Sequence, residues 1–303
     1  MKWRGGRQSS NVEDRSGRSA GSGGKIMAGG GIGTIVIAVL FFLFSGGDLN
    51  SVTDILGGGQ AANDQTENVA SDEYTEEKEF SAVVFGHLED YWNGVFEAEQ
   101  TTYQDPKLVL FTGSVQSACG NATSQVGPFY CPADQNVYLD LSFATELSQK
   151  YGASGDFAMA YVIAHEVGHH VQNELGITQQ LDKIRQQVSE KEYNQYSVRL
   201  ELQADYLAGT FAKYLQGKTY NGQPILEAGD IEEAITAANA IGDDTLQKEY
   251  QGYVVPDSFT HGTSNNELNG STGGSNMVIW SMETPSMKKN LIWSTDHNKN
   301  VPF

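Results

Sequence analysis

The chain has 303 residues, enough for one large domain or two small ones. It carries 19 Lys and Arg against 38 Asp and Glu, giving a net charge of −19 and a pI near 4.6. Phosphate recognition needs a basic surface, so this balance argues against nucleic acid as a partner.

The start of the chain, by contrast, is basic. Lys2, Arg4, Arg7, Arg15, Arg18 and Lys25 face only Glu13 and Asp14 among residues 1–25, with Ser and Gly filling most of the rest. By composition this is a disordered, cytoplasmic tail. Residues 26–47 contain no charge and centre on Ile32 to Phe44. A bilayer crossing takes roughly 20 such residues, so the stretch reads as a single transmembrane helix. A cleaved signal peptide is the rival, but Ser45-Gly46-Gly47-Asp48 is a poor cleavage site and the basic leader is long. Positive charge before the helix and acid after it place the N-terminus in the cytoplasm and the rest outside the cytoplasmic membrane. Residues 48–78, with Gly57 to Gly59 and the acidic run from Asp72 to Glu77, read as a linker.

Folded structure is expected from 79 to 264. Phe80, Val83, Val84, Leu88, Tyr91 and Trp92 recur at helical spacing to about Glu97. Leu108 to Phe111 is a short strand. The chain's two cysteines, Cys119 and Cys131, flank a loop with Gly and Pro; in an oxidising space they should pair, stabilising by about 3 kcal/mol. A two-cysteine metal site lacks partners nearby, and Asn121-Ala122-Thr123, though it fits a glycosylation sequon, carries little weight. Val137 to Leu141 alternates like a strand. By analogy with folds in which an edge strand at such a place pairs with an extended peptide, these residues are expected to border a cleft.

Ala164-His165-Glu166-Val167-Gly168-His169-His170-Val171-Gln172 contains H-E-x-x-H, preceded by the apolar run Phe157 to Ala164. On a helix His165 and His169 share a face and can both ligate one Zn2+, with Glu166 beside them to hold and deprotonate a water. Gly176 is a natural stop. His170 is a rival ligand but points about 100° away from His169, which suits packing or support of the site. Thr178 to Glu190 is a polar, covering helix. A further helix from Ser197 to Gln216 carries Glu201 and Asp205 four apart. Glu201 is the candidate third ligand and Asp205 the acceptor for a ligand histidine's outer N–H; the bland alternative is a solvated acidic pair. Segments 226–240 and 243–250 read as helical.

The E-x-x-x-D spacing downstream of H-E-x-x-H resembles the glutamate-zincin peptidases. With Met1-Lys2-Trp3-Arg4, Asn11 to Arg15, Gly127-Pro128-Phe129-Tyr130-Cys131-Pro132, Val137 to Asp140, Arg199 to Asp205 and Val255 to Ser264, the chain resembles the bacterial putative neutral zinc metallopeptidases. The resemblance implies a membrane-anchored zinc peptidase acting on polypeptide. It supports His165, His169 and Glu201 as ligands and Glu166 as general base. The fold expected is α+β: a mainly helical, zincin-like metallopeptidase domain with a small sheet, behind the transmembrane helix. His261 and Tyr130 are candidates to donate to a developing oxyanion. The competing reading is a non-hydrolytic envelope binding or assembly module stabilised by zinc; a different zinc hydrolase, such as an amidase, is a third. From about Asn265 the resemblance ends in a Ser-, Asn- and Gly-rich tail, 265–303, which reads as a frameshifted replacement of the family's C-terminus.

Overall fold

The computed structural model describes residues 1–17, 74–150 and 152–241. In chain order it holds β1 (Val12–Asp14), α1 (Thr75–Ala98), β2 (Lys107–Phe111), β3 (Ser114–Ser117), β4 (Gly120–Thr123), β5 (Phe129–Cys131), β6 (Asn136–Asp140), α2 (Phe143–Gln149), α3 (Asp156–Glu174), α4 (Ile177–Arg185), α5 (Glu190–Gln216), β7 (Thr219–Tyr220), β8 (Gln223–Pro224) and α6 (Asp230–Ile241). The class is mixed α and β, with long helices and small sheets. Among the described residues no helix is long and apolar enough to cross a membrane. The proposed transmembrane span 26–47, most of the linker, His261, the 243–250 segment and the tail 265–303 lie outside the described residues.

The main sheet runs β1-β2-β6-β5, with β1 parallel to β2, β2 parallel to β6 and β5 antiparallel to β6. Alternation splits its side chains between two cores. Leu108, Leu110, Tyr130, Val137 and Leu139 meet the helices, whereas Val109, Phe111, Phe129, Cys131 and Tyr138 meet Val115 and Ala122 of the β3–β4 hairpin. The Cys119–Cys131 disulfide forms as expected and ties this hairpin to the end of β5.

The helix carrying the motif is central. Every residue of α3 from Phe157 to Asn173 is buried, against α5, α6, α1 and the sheet. Gly176, at φ +75°, takes the left-handed conformation that ends it. At the start of α5 the Ser189 hydroxyl accepts from the backbone N–H of Glu192 at 3.3 Å, so the helix begins earlier than the apolar stripe at Leu200 alone suggests.

Two expectations need correction. Val137 to Leu141 is not an edge strand open to an extended peptide: β6 lies between β2 and β5, and the edges are β1 and β5. Nor is the start of the chain disordered over residues 1–17. Met1 and Trp3 are buried, and β1 pairs in register with Leu108 to Leu110. Composition misleads there because the basic residues find acids far along the chain, Arg7 pairing with Glu89 and Asp90 and Arg4 with Glu76.

Candidate metal centre

Helical spacing stacks His165 and His169 on one face of α3, with ring centroids 4.8 Å apart. Across from them, α5 brings in Glu201. Its Oε2 lies 3.2 Å from His165 Nε2 and 3.3 Å from His169 Nε2. One potential ligand atom from each residue lies within 4.8 Å of the others, and all three residues are buried.

The close approach of α5 depends on Gly168. A Cβ there would meet the carbonyl oxygen of Ala204 at 3.1 Å and its Cα at 3.2 Å. Glycine inside a helix costs up to about 1 kcal/mol relative to Ala, and here it lets the two helices approach.

The outer ring nitrogens are also held. His165 Nδ1 lies 2.8 Å from Asp205 Oδ1, which also accepts from the Tyr161 hydroxyl. A carboxylate only accepts, so His165 Nδ1 carries a proton toward Asp205, while Nε2 faces Glu201 and becomes a lone-pair donor once a cation displaces its proton. His169 Nδ1 lies 2.9 Å from Gln172 Oε1. The Gln172 amide is oriented by its other end, where Nε2 donates to the Leu200 carbonyl at 2.6 Å and to Gln203 Oε1 at 3.1 Å. His169 therefore also presents Nε2 to the centre.

Burial lowers the pKa of both imidazoles, but the carboxylates outweigh it. Hydrogen bonds to Asp205 and Glu201 raise His165 well above its ordinary value, and the Glu201 charge and hydrogen bond raise His169. Glu166, buried beside them, adds its charge to both shifts. A negative, dry pocket with two oriented imidazoles and one carboxylate fits a divalent cation that accepts N and O donors, and three protein ligands leave a position for water or substrate.

Sequence reasoning places His165, Glu166, His169, Glu201 and Asp205, and the structure brings the five together. It missed Gln172 and Tyr161. Both are signalled by spacing, Gln172 three residues after His169 and Tyr161 four before His165, each on the face the motif uses. Tyr130 is elsewhere. Its hydroxyl lies 3.1 Å from His170 Nδ1, and burial pushes its pKa well above the ordinary tyrosine value. His170 Nε2 donates to the Gln104 carbonyl at 2.7 Å, and its ring packs edge-on to Tyr103 and Tyr130, the packing role expected of it.

A family model described as putative neutral zinc metallopeptidase matches residues 1–276. A relative named uncharacterized protein YpfJ, from Escherichia coli strain K12, is 46% identical over 269 residues, covering 87% of this chain and 91% of the relative. Uncharacterized protein Rv2575, from Mycobacterium tuberculosis strain H37Rv, is 42% identical over 168 residues, 54% of this chain and 56% of the relative. No solved structure matches the chain.

Proposed function

The chain belongs to the putative neutral zinc metallopeptidase family, whose cofactor is Zn2+, and from that premise we propose that it is a zinc-dependent peptidase of glutamate-zincin type, with His165, His169 and Glu201 as ligands. The observation that carries the reading is the convergence of two inward-facing imidazole Nε2 atoms on one Glu201 oxygen, with Asp205 and Gln172 fixing the rings from behind. Zinc held there lowers the pKa of a bound water to about 7 and polarises a carbonyl.

The chain's own residues supply the rest. Glu166 follows His165 directly on α3 and takes a proton from the attacking water as its oxygen bonds to the scissile carbon. As the C–N bond breaks, Glu166 returns that proton to the leaving amine. Asp205 and Tyr161 hold His165 against rotation, and Gln172 does so for His169. Burial of the surrounding α3 face keeps bulk water from competing with these contacts. The substrate class is polypeptide, and the zincin-like architecture belongs to this proposal too.

The disulfide supports an oxidising compartment for the domain, outside the cytoplasmic membrane, with the uncharged segment 26–47 holding the protein to that membrane.

Glu166→Gln in the full chain tests the reading. Cleavage of an unfolded protein substrate is expected to fall by roughly 10²- to 10⁴-fold while bound zinc is unchanged. Undiminished cleavage, or cellular function that survives the substitution, points instead to an assembly module in which zinc only ties helices together.

A further inference from the structure

We infer that residues 1–17 and the metal centre lie on the same side of the membrane, so that residues 26–47 do not carry the chain through it. The inference stands whether or not the peptidase reading holds, since it rests on how the N-terminal segment is built into the domain.

The segment forms a continuous seam with the domain. Backbone N–H groups donate from Lys2 to Ile225 at 2.7 Å, from Ser9 to Ala82 at 2.9 Å, from Leu108 to Asn11 at 2.9 Å and from Arg15 to Leu110 at 2.8 Å. Trp3 packs edge-on to Phe80 at 5.5 Å between ring centroids. Glu89, buried on α1, accepts from Ser9 Oγ at 2.5 Å, Asn11 Nδ2 at 2.8 Å and the Arg7 guanidinium at 3.0 Å. Gly86 leaves room for the crossing, since a Cβ there would meet the Arg7 carbonyl at 2.7 Å. A strand ladder and a buried carboxylate network cannot form across about 30 Å of hydrocarbon.

Residues 18–73 therefore connect two points of the same body, residue 17 and residue 74. Residues 26–47 are long enough to cross a bilayer once. A single crossing has to be undone before residue 74, and residues 48–73 cannot undo it. They contain Asp48, Asp54, Asp64, Glu67, Asp72 and Glu73 with Gly57 to Gly59, and hold no second apolar run of about 20 residues. Three of the six basic residues that a positive-inside argument counts are engaged by acids within the fold: Arg4 by Glu76, Arg7 by Glu89 and Asp90, Arg15 by Glu13. The same-side arrangement replaces the expectation of an N-terminus in the cytoplasm with its domain outside.

Two measurements on the full chain test this. Gln8→Cys and Gln187→Cys place single added thiols at exposed positions of the N-terminal segment and of the domain. Each is treated with a membrane-impermeant maleimide in intact spheroplasts and after lysis. Both sites are expected to label to the same extent before lysis, relative to their labelling after it. Labelling of one site in intact cells and of the other only after lysis overturns the proposal. On purified wild-type chain, trypsin is expected to leave Arg4, Arg7 and Arg15 uncut until the domain unfolds; rapid release of the N-terminal segment from a folded domain also overturns it.

Discussion

Helix α3 carries a cluster of ligand-type side chains at each end, and the two differ in chemistry more than in size. At its start Asp156 meets Asp230 and Glu233 of α6; in its second half His165 and His169 meet Glu201 of α5. In both, one atom from each residue lies within 4.8 Å of the others. The first cluster is all carboxylate and already has a cation, the α-amino group of Met1, 2.5 Å from Asp156 and 3.2 Å from Asp230. Its Glu233 side chain also accepts from the Phe157 backbone N–H at 3.0 Å. The second cluster mixes nitrogen and oxygen donors, and its imidazoles are oriented from behind. Close approach of acids alone describes a clamp; a metal centre also needs donors of the right kind, aimed inward.

Substitutions at the two ends should therefore separate stability from metal binding. Asp230→Asn removes a buried charge from the first cluster. It is expected to cost on the order of 3–5 kcal/mol of unfolding free energy, read by denaturant titration, with bound zinc unchanged. Loss of zinc from folded Asp230→Asn protein would break the distinction.

His170, next to His169 but on the far face of α3, sharpens it by pH. Burial lowers its pKa to about 4, so the fold holds it neutral. Its contribution to stability is full above the unfolded value near 6.5 and is lost as pH falls from there toward about 4. Between pH 7 and 4.5 the loss should be on the order of 2 kcal/mol, and His170→Gln should shrink that difference; an unchanged pH dependence contradicts the assignment. Gln172→Leu has the smallest expected effect. Zinc affinity, measured by competition with a chelator, should weaken by roughly 10- to 100-fold. Gln172→Glu, which keeps an acceptor for His169 Nδ1, should recover most of it.

The metal end was legible because its pattern is local. H-E-x-x-H on an apolar helix fixes three side chains by spacing, and a carboxylate pair four residues apart on the next long helix supplies Glu201 and Asp205. Gln172 obeyed the same rule and was missed because a neutral amide does not stand out as Glu or His does. The sheet was harder. Val137 to Leu141 reads as a strand, but alternation does not reveal which neighbours it has, and β6 is interior. In the N-terminal segment Gly, Ser and Arg content points to disorder, whereas residues 1–17 are ordered. Its order comes from partners at Ala82, Glu89, Leu110 and Ile225, which only the fold brings near.

The central claim is a zinc ion held by His165, His169 and Glu201. Metal analysis of the folded full chain, wild type beside Glu201→Gln, tests it most directly. Equimolar zinc in the wild type and its loss from a folded Glu201→Gln chain is the result this account predicts. A folded wild type that retains no zinc, or a Glu201→Gln chain that holds it as tightly, would contradict it.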